Sequence, residues 1–176
     1  MQLTDSIKQK AQQIKLFAMD VDGILSDGKI IYNSYDVETK AFYVQDGVGI
    51  KALQSFGIEI AIITGRTSPM VERRARELGI HHLIQGRDDK YTALSGLAEQ
   101  LGLSLDECAY MGDDLPDLKA VREAGLGISV PNGCAETQAV ADIVTDKTGG
   151  NGAVREACDL ILHAQGHYDA FIAQFH

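Results

Sequence analysis

Short β-rich runs alternate with helix-spaced stretches along most of this chain, and that rhythm leaves few folds open. The runs fall at 16–19, 58–63, 82–84, 109–111, 126–129 and, more weakly, 142–144. Between them, 49–56, 69–78, 91–101 and 115–124 carry apolar residues at three- and four-residue spacing. Strand and helix alternating at this length predict βαβ units and a parallel sheet covered on both faces, a three-layer α/β architecture. Ligands of such sheets sit beyond the carboxyl ends of the strands. Asp20, Thr64 and Asp113 each lie just past a run, so they should meet at that edge.

The interval 28–45 breaks the rhythm. Two β-rich stretches, 29–32 and 41–44, flank the polar segment 33–40 and read as a β-hairpin projecting over the site as a flap. At the other end a glycine-rich loop, 148–152, introduces a helix over about 153–164. Gly166 ends it, and the tail (Tyr168, Phe171, Phe175) is aromatic enough to require a packing partner. With 176 residues, 1–176 reads as one domain, with a flap at about 28–45 and a C-terminal helix and tail at about 152–176.

Composition removes several classes. A formal charge of −9 with no basic tract argues against nucleic acid. No run of 18 apolar residues is available for a membrane span. Residues 1–13 are polar and helix-like, without a signal core. Cys108, Cys134 and Cys158 are scattered, as suits a reducing cytoplasm.

The candidate chemistry starts at Asp20-Val21-Asp22-Gly23, which a buried run delivers into a glycine turn. Asp20 can attack phosphorus, splitting a hard transfer into two steps. Asp22 can protonate the departing oxygen and then deprotonate the water. Thr64-Gly65-Arg66 offers a hydroxyl and backbone N–H groups for a phosphoryl oxygen, although Thr64 or Thr67 could equally cap the next helix. Lys90 can offset the repulsion between carboxylate and phosphate, or be a solvated lysine in a charged run. Asp113, with Asp20 and the backbone carbonyl of Asp22, supplies oxygens of the kind Mg²⁺ prefers. Asp114 and Asp117 stand behind that set, Asp117 orienting Lys90 or a metal-bound water. His163 and His167 are four apart, but no third zinc ligand is evident and Gly166 interrupts the helix.

Asp20-x-Asp22-Gly23, Thr64, Lys90 and Gly112-Asp113-Asp114-x-x-Asp117, in this order, resemble the haloacid dehalogenase superfamily of aspartate-nucleophile phosphatases. The gaps from Gly23 to Thr64 and from Thr64 to Lys90 leave no room for the usual cap domain. Residues 42–51, Thr64-Gly-Arg66 with Arg74, and Gly149-Gly-Asn-Gly-Ala-Val-Arg155-Glu156 further resemble the capless 3-deoxy-D-manno-octulosonate 8-phosphate (KDO 8-phosphate) phosphatases. That resemblance implies a Mg²⁺-dependent homotetramer acting in lipopolysaccharide precursor synthesis, with the tail approaching a neighbour's active site. It also implies substrate contacts from Asp22, Tyr43, Val44, Gln45, Asp46, Gly47, Lys51, Arg66, Arg74 and Lys90. Positions 45 and 51 carry Gln and Lys where basic residues, often Arg, are expected. The alternatives are a phosphatase for a nine-carbon sialic-acid-type 9-phosphate or another sugar phosphate, a phospho-receiver domain, and an inactive interaction module.

Overall fold

The computed structural model describes residues 4–175. Six parallel strands form one sheet: β1 (Leu16–Met19), β4 (Glu59–Ile63), β5 (His82–Ile84), β6 (Cys108–Met111), β7 (Leu126–Ser129) and β8 (Ile143–Val144). Their spatial order is β5-β4-β1-β6-β7-β8, so the chain moves outward from β1 to β5 and then returns to the other side of β1. The order reverses between β1 and β6, which pair Leu16 with Cys108 and Met19 with Met111. A crevice opens at such a reversal.

Every residue of β1 is buried, so its two faces separate the core into layers. Phe17 and Met19 pack toward α1 (Asp5–Gln12), α2 (Val44–Ser55), α3 (Pro69–Leu78) and α7 (Ala153–Ala164). Leu16 and Ala18 pack toward α4 (Lys90–Leu101) and α5 (Leu118–Glu123). The expected three-layer α/β architecture with a parallel sheet is therefore present. Among the described residues, no helix is long and apolar enough to cross a membrane.

The hairpin is shorter than expected. Its strands are β2 (Ile31–Tyr32) and β3 (Glu38–Thr39), paired antiparallel. Asn33 closes the turn early, because its Oδ1 accepts from the backbone N–H groups of Tyr35 and Val37 at 2.9 and 3.1 Å. The expected second strand at 41–44 does not form, and α2 already begins at Val44. Its β propensity loses to helix packing. A Cβ on Gly49 would stand 2.9 Å from the Cβ of Cys158, so glycine at this position lets α2 approach α7 closely. A helix absent from the expectations, α6 (Ala135–Val140), precedes β8.

The aromatic tail packs on its own chain. After α7 it forms α8 (Tyr168–Ile172), with Phe171 buried and Phe175 edge-on to it at 5.4 Å. The histidines are absorbed in this packing: His163 stacks on Tyr168 at 3.7 Å and His167 on Phe56 at 4.5 Å. Neither belongs to a group of metal-like spacing among the described residues.

Asp46 fastens α2 to α7, accepting the backbone N–H of Arg155 at 2.9 Å. Burial pushes its carboxyl up to about 6, against the lowering effects of that hydrogen bond, Lys147 and Arg74. A folded-state pKa above the unfolded one contributes stability that is fully present below about pH 4. That contribution is lost as pH rises through about 6. Asp46→Asn keeps an acceptor for Arg155 without the titration. Between pH 4 and 7, denaturant unfolding should show wild type losing on the order of 2–3 kcal/mol relative to the variant. A pH-independent difference would contradict this.

Candidate active site

The site is assembled from the turns beyond β1, β4 and β6. Asp20 extends the β1 ladder by donating its N–H to the Met111 carbonyl at 3.0 Å, which sets it beside the β6 turn. The chain then doubles back, with Ser26 N–H donating to the Val21 carbonyl at 2.9 Å. Gly23 makes this possible at φ +91°, where a Cβ would lie 2.0 Å from Asp113 Oδ2. Both the backbone conformation and the closeness of Asp113 require glycine there.

Asp117 is the fixed point of the arrangement. Fully buried, it accepts at Oδ1 from Lys90 Nζ (2.7 Å) and the Tyr110 hydroxyl (2.8 Å). At Oδ2 it accepts from the backbone N–H groups of Asp113 and Asp114, both at 3.2 Å. Lys90, the first residue of α4, also reaches Asp20 Oδ2 at 2.7 Å. Burial alone would lower its pKa, but Asp20 and Asp117 outweigh that and raise it, so the ammonium stays charged.

One ammonium does not neutralise three carboxylates. Burial and the neighbouring Asp117 push Asp20 up to about 6, with Lys90 opposing. Burial, Asp117 and Asp20 push Asp113 up to about 7. Oxygens of Asp20, Asp113 and Asp117 lie within 4.8 Å of one another. Among the described residues, Oδ1 of Asp20 and Oδ1 of Asp113 are buried without a hydrogen-bond partner. Two unpartnered oxygens in an excess of negative charge fit a hard divalent cation. Asp117 is less suited to direct ligation, since both its oxygens already accept two hydrogen bonds each.

A pocket of about 250 Å³ opens over this group, lined also by Asp22, Thr64, Arg66 and Asp114. Thr64 is buried and held by its N–H to the Ile84 carbonyl at 2.9 Å. Asp114 caps the turn before α5, its Oδ1 accepting from Leu115 N–H at 2.9 Å. Asp22 accepts from Ser26 Oγ at 3.1 Å and from Lys40 Nζ.

The other expected contacts are not gathered in this pocket. Arg74 lines a neighbouring cavity of about 230 Å³ with Lys40 and Phe42, and its guanidinium lies 5.8 Å from the Phe42 ring centre. Tyr43, Val44 and Gln45 are exposed at the start of α2 and Lys51 is exposed further along it, while Asp46 and Gly47 are buried. Within one chain the Asp46 carboxylate serves α7, and Gly47 gives room to Arg74, whose Nη2 would stand 2.7 Å from a Cβ there. Sequence reasoning passed over Lys40, whose place in a polar hairpin turn carried no spacing signal. It also passed over Asn132, which donates to the Gly23 carbonyl at 3.0 Å and accepts from Gly149 N–H at 2.8 Å.

A haloacid dehalogenase-like hydrolase family model matches residues 80–156. The 3-deoxy-D-manno-octulosonate 8-phosphate phosphatase KdsC of Salmonella typhi is 46% identical over 163 residues, spanning 93% of this chain and 87% of that protein. This chain therefore belongs to the KDO 8-phosphate phosphatase family. The family's Moraxella catarrhalis phosphatase, crystallised with magnesium, phosphate and KDO, is 70% identical with a TM-score of 0.97, over 99% of this chain and 100% of that one. A cobalt-bound KDO 8-phosphate phosphatase of Haemophilus influenzae is 40% identical, TM-score 0.90, over 94% and 98%. As expected of a capless KDO 8-phosphate phosphatase, only the hairpin and α2 lie between β1 and β4, and only α3 and β5 between β4 and α4.

Proposed function

We propose that this chain hydrolyses KDO 8-phosphate to KDO and orthophosphate through a phosphorylated Asp20. The observation that carries this reading is the 70% identity to the Moraxella phosphatase over nearly the whole of both chains. The arrangement of Asp20, Lys90, Asp113 and Asp117 in one pocket supports the chemistry. An Asp20 oxygen attacks phosphorus, the bond from phosphorus to the C8 oxygen breaks, and Asp22 delivers a proton to that oxygen. Asp22 then takes a proton from water as the water oxygen attacks phosphorus, releasing orthophosphate and restoring the Asp20 carboxylate. Lys90 and Thr64 hold the phosphoryl oxygens, and Asp117 holds Lys90.

Asp20, Asp113 and the Asp22 backbone carbonyl would hold magnesium, which would supply the positive charge that lets a phosphate dianion approach a carboxylate. Chelation should cut phosphate release by at least about 100-fold. Added Mg²⁺ should restore it, and activity undiminished in chelator would refute the metal assignment.

The chain works as one domain within a homotetramer. Ile30, Ile31, Tyr32, Tyr35 and Val37 expose a patch on the hairpin too apolar for a free surface, which supports association there. Tyr43, Val44, Gln45 and Lys51 then help form sites shared between subunits, and Arg66 and Arg74 receive the sugar acid. A monomer by light scattering at assay concentration would overturn the shared-site reading. Phosphate release from KDO 8-phosphate with Mg²⁺, with Asp20→Asn as blank, tests the activity itself.

A further inference from the structure

A closed ring of four charges ties the hairpin to the turn after β1. Lys40 Nζ donates to Asp22 Oδ1 and lies 3.4 Å from Glu38 Oε1. Arg66 Nη2 donates to that same Glu38 oxygen at 3.2 Å, and its Nε lies 3.7 Å from Asp22 Oδ2. Each cation faces both acids. The two cations are unequal, however: 1% of the Lys40 side chain is exposed, against 44% for Arg66. A buried ammonium persists only where acceptors compensate its lost hydration. Lys40 is therefore held by Asp22 and Glu38, and it holds them in return.

We propose that Lys40 is a positioning residue for Asp22, coupling the seating of the hairpin to the orientation of the carboxylate that acts as acid and base. This rests on the proposed role of Asp22. Oδ1 of Asp22 is taken by Lys40 and by Ser26 Oγ at 3.1 Å. Among the described residues, Oδ2 has only the longer approach of Arg66 at 3.7 Å. The geometry thus makes Oδ1 the anchor and leaves Oδ2 the freer oxygen to face a leaving group. Loss of Lys40 frees the carboxylate to rotate and loosens the end of the hairpin, just after β3, from the turn after β1.

Dependence on the leaving group separates this role from a merely structural one. An alkoxide must be protonated as it departs, whereas 4-nitrophenolate departs without help. The parameter kcat/KM reports the steps through phosphorylation of Asp20, where the two substrates differ. Lys40→Met should lower kcat/KM for KDO 8-phosphate by about 10- to 100-fold, and for 4-nitrophenyl phosphate by less than about threefold. In an Asp22→Asn background the same substitution should change neither by more than about twofold. Equal losses on both substrates, or losses that multiply with Asp22→Asn, would overturn the proposal. Should Lys40→Met fail to fold, Glu38→Gln opens the ring from the other side and should give a smaller loss with the same selectivity; an unselective loss refutes it equally. Whichever alkyl phosphate the wild type hydrolyses best serves as the alkoxide arm, so a wrong sugar assignment leaves this test intact.

Discussion

Asp20→Asn should reduce turnover by on the order of 10⁴- to 10⁶-fold while leaving the protein folded. Asparagine occupies the same space and still accepts from Lys90, which lies 2.7 Å from Asp20 Oδ2. What it loses is the nucleophile, and no other group replaces it: Asp113 presents an unpartnered oxygen but follows β6 beyond the glycine turn, and Asp117 is saturated with donors. In chelator the variant should be no less stable than wild type. Burial and Asp117 already disfavour charge on Asp20, so a neutral side chain relieves repulsion. Phosphate release and thermal melting measure the two halves of this statement. Activity within tenfold of wild type would remove Asp20 from its role.

Asp117→Ala should give the largest loss of stability in the site, about 3–5 kcal/mol. The alanine leaves four donors without their acceptor: the Lys90 ammonium, the Tyr110 hydroxyl and the backbone N–H groups of Asp113 and Asp114. Three of these belong to elements that carry the chemistry, so activity should fall along with stability. Asp117→Asn should be milder, since its carbonyl oxygen still accepts, although its amide group must then face donors. Urea unfolding at unchanged m-value measures the difference. A loss below about 1 kcal/mol for the alanine variant would mean that Asp117 is not the fixed point of the site.

The legibility of the sequence tracked how local each signal was. Strands β5 and β7 and helices α3 and α7 fall where apolar spacing and flanking turns place them, because continuous buried runs and three-four periodicity are local facts. That Asp20, Asp22, Thr64, Lys90 and Asp113 line one pocket was likewise legible, since each follows a strand or opens a helix near the reversal of strand order. The segment 41–44 was misread because its aromatic, β-branched composition says strand. What decides it is Asp46 reaching across to the start of α7, more than a hundred residues away. Lys40 was missed for a related reason. A lysine in a polar hairpin looks solvated until Asp22 and Glu38 are seen to close around it. Contacts made at long sequence separation leave no periodic trace.

That the Asp20 pocket acts on an eight-carbon sugar-acid phosphate is open to direct measurement. Its most direct test is kcat/KM for KDO 8-phosphate beside that for a nine-carbon sialic-acid-type 9-phosphate, with Mg²⁺ and the assembled wild-type protein. KDO 8-phosphate should be preferred by at least about tenfold, the discrimination a well-fitted pocket draws from one missing or extra group. An equal or greater value for the nine-carbon substrate would contradict it.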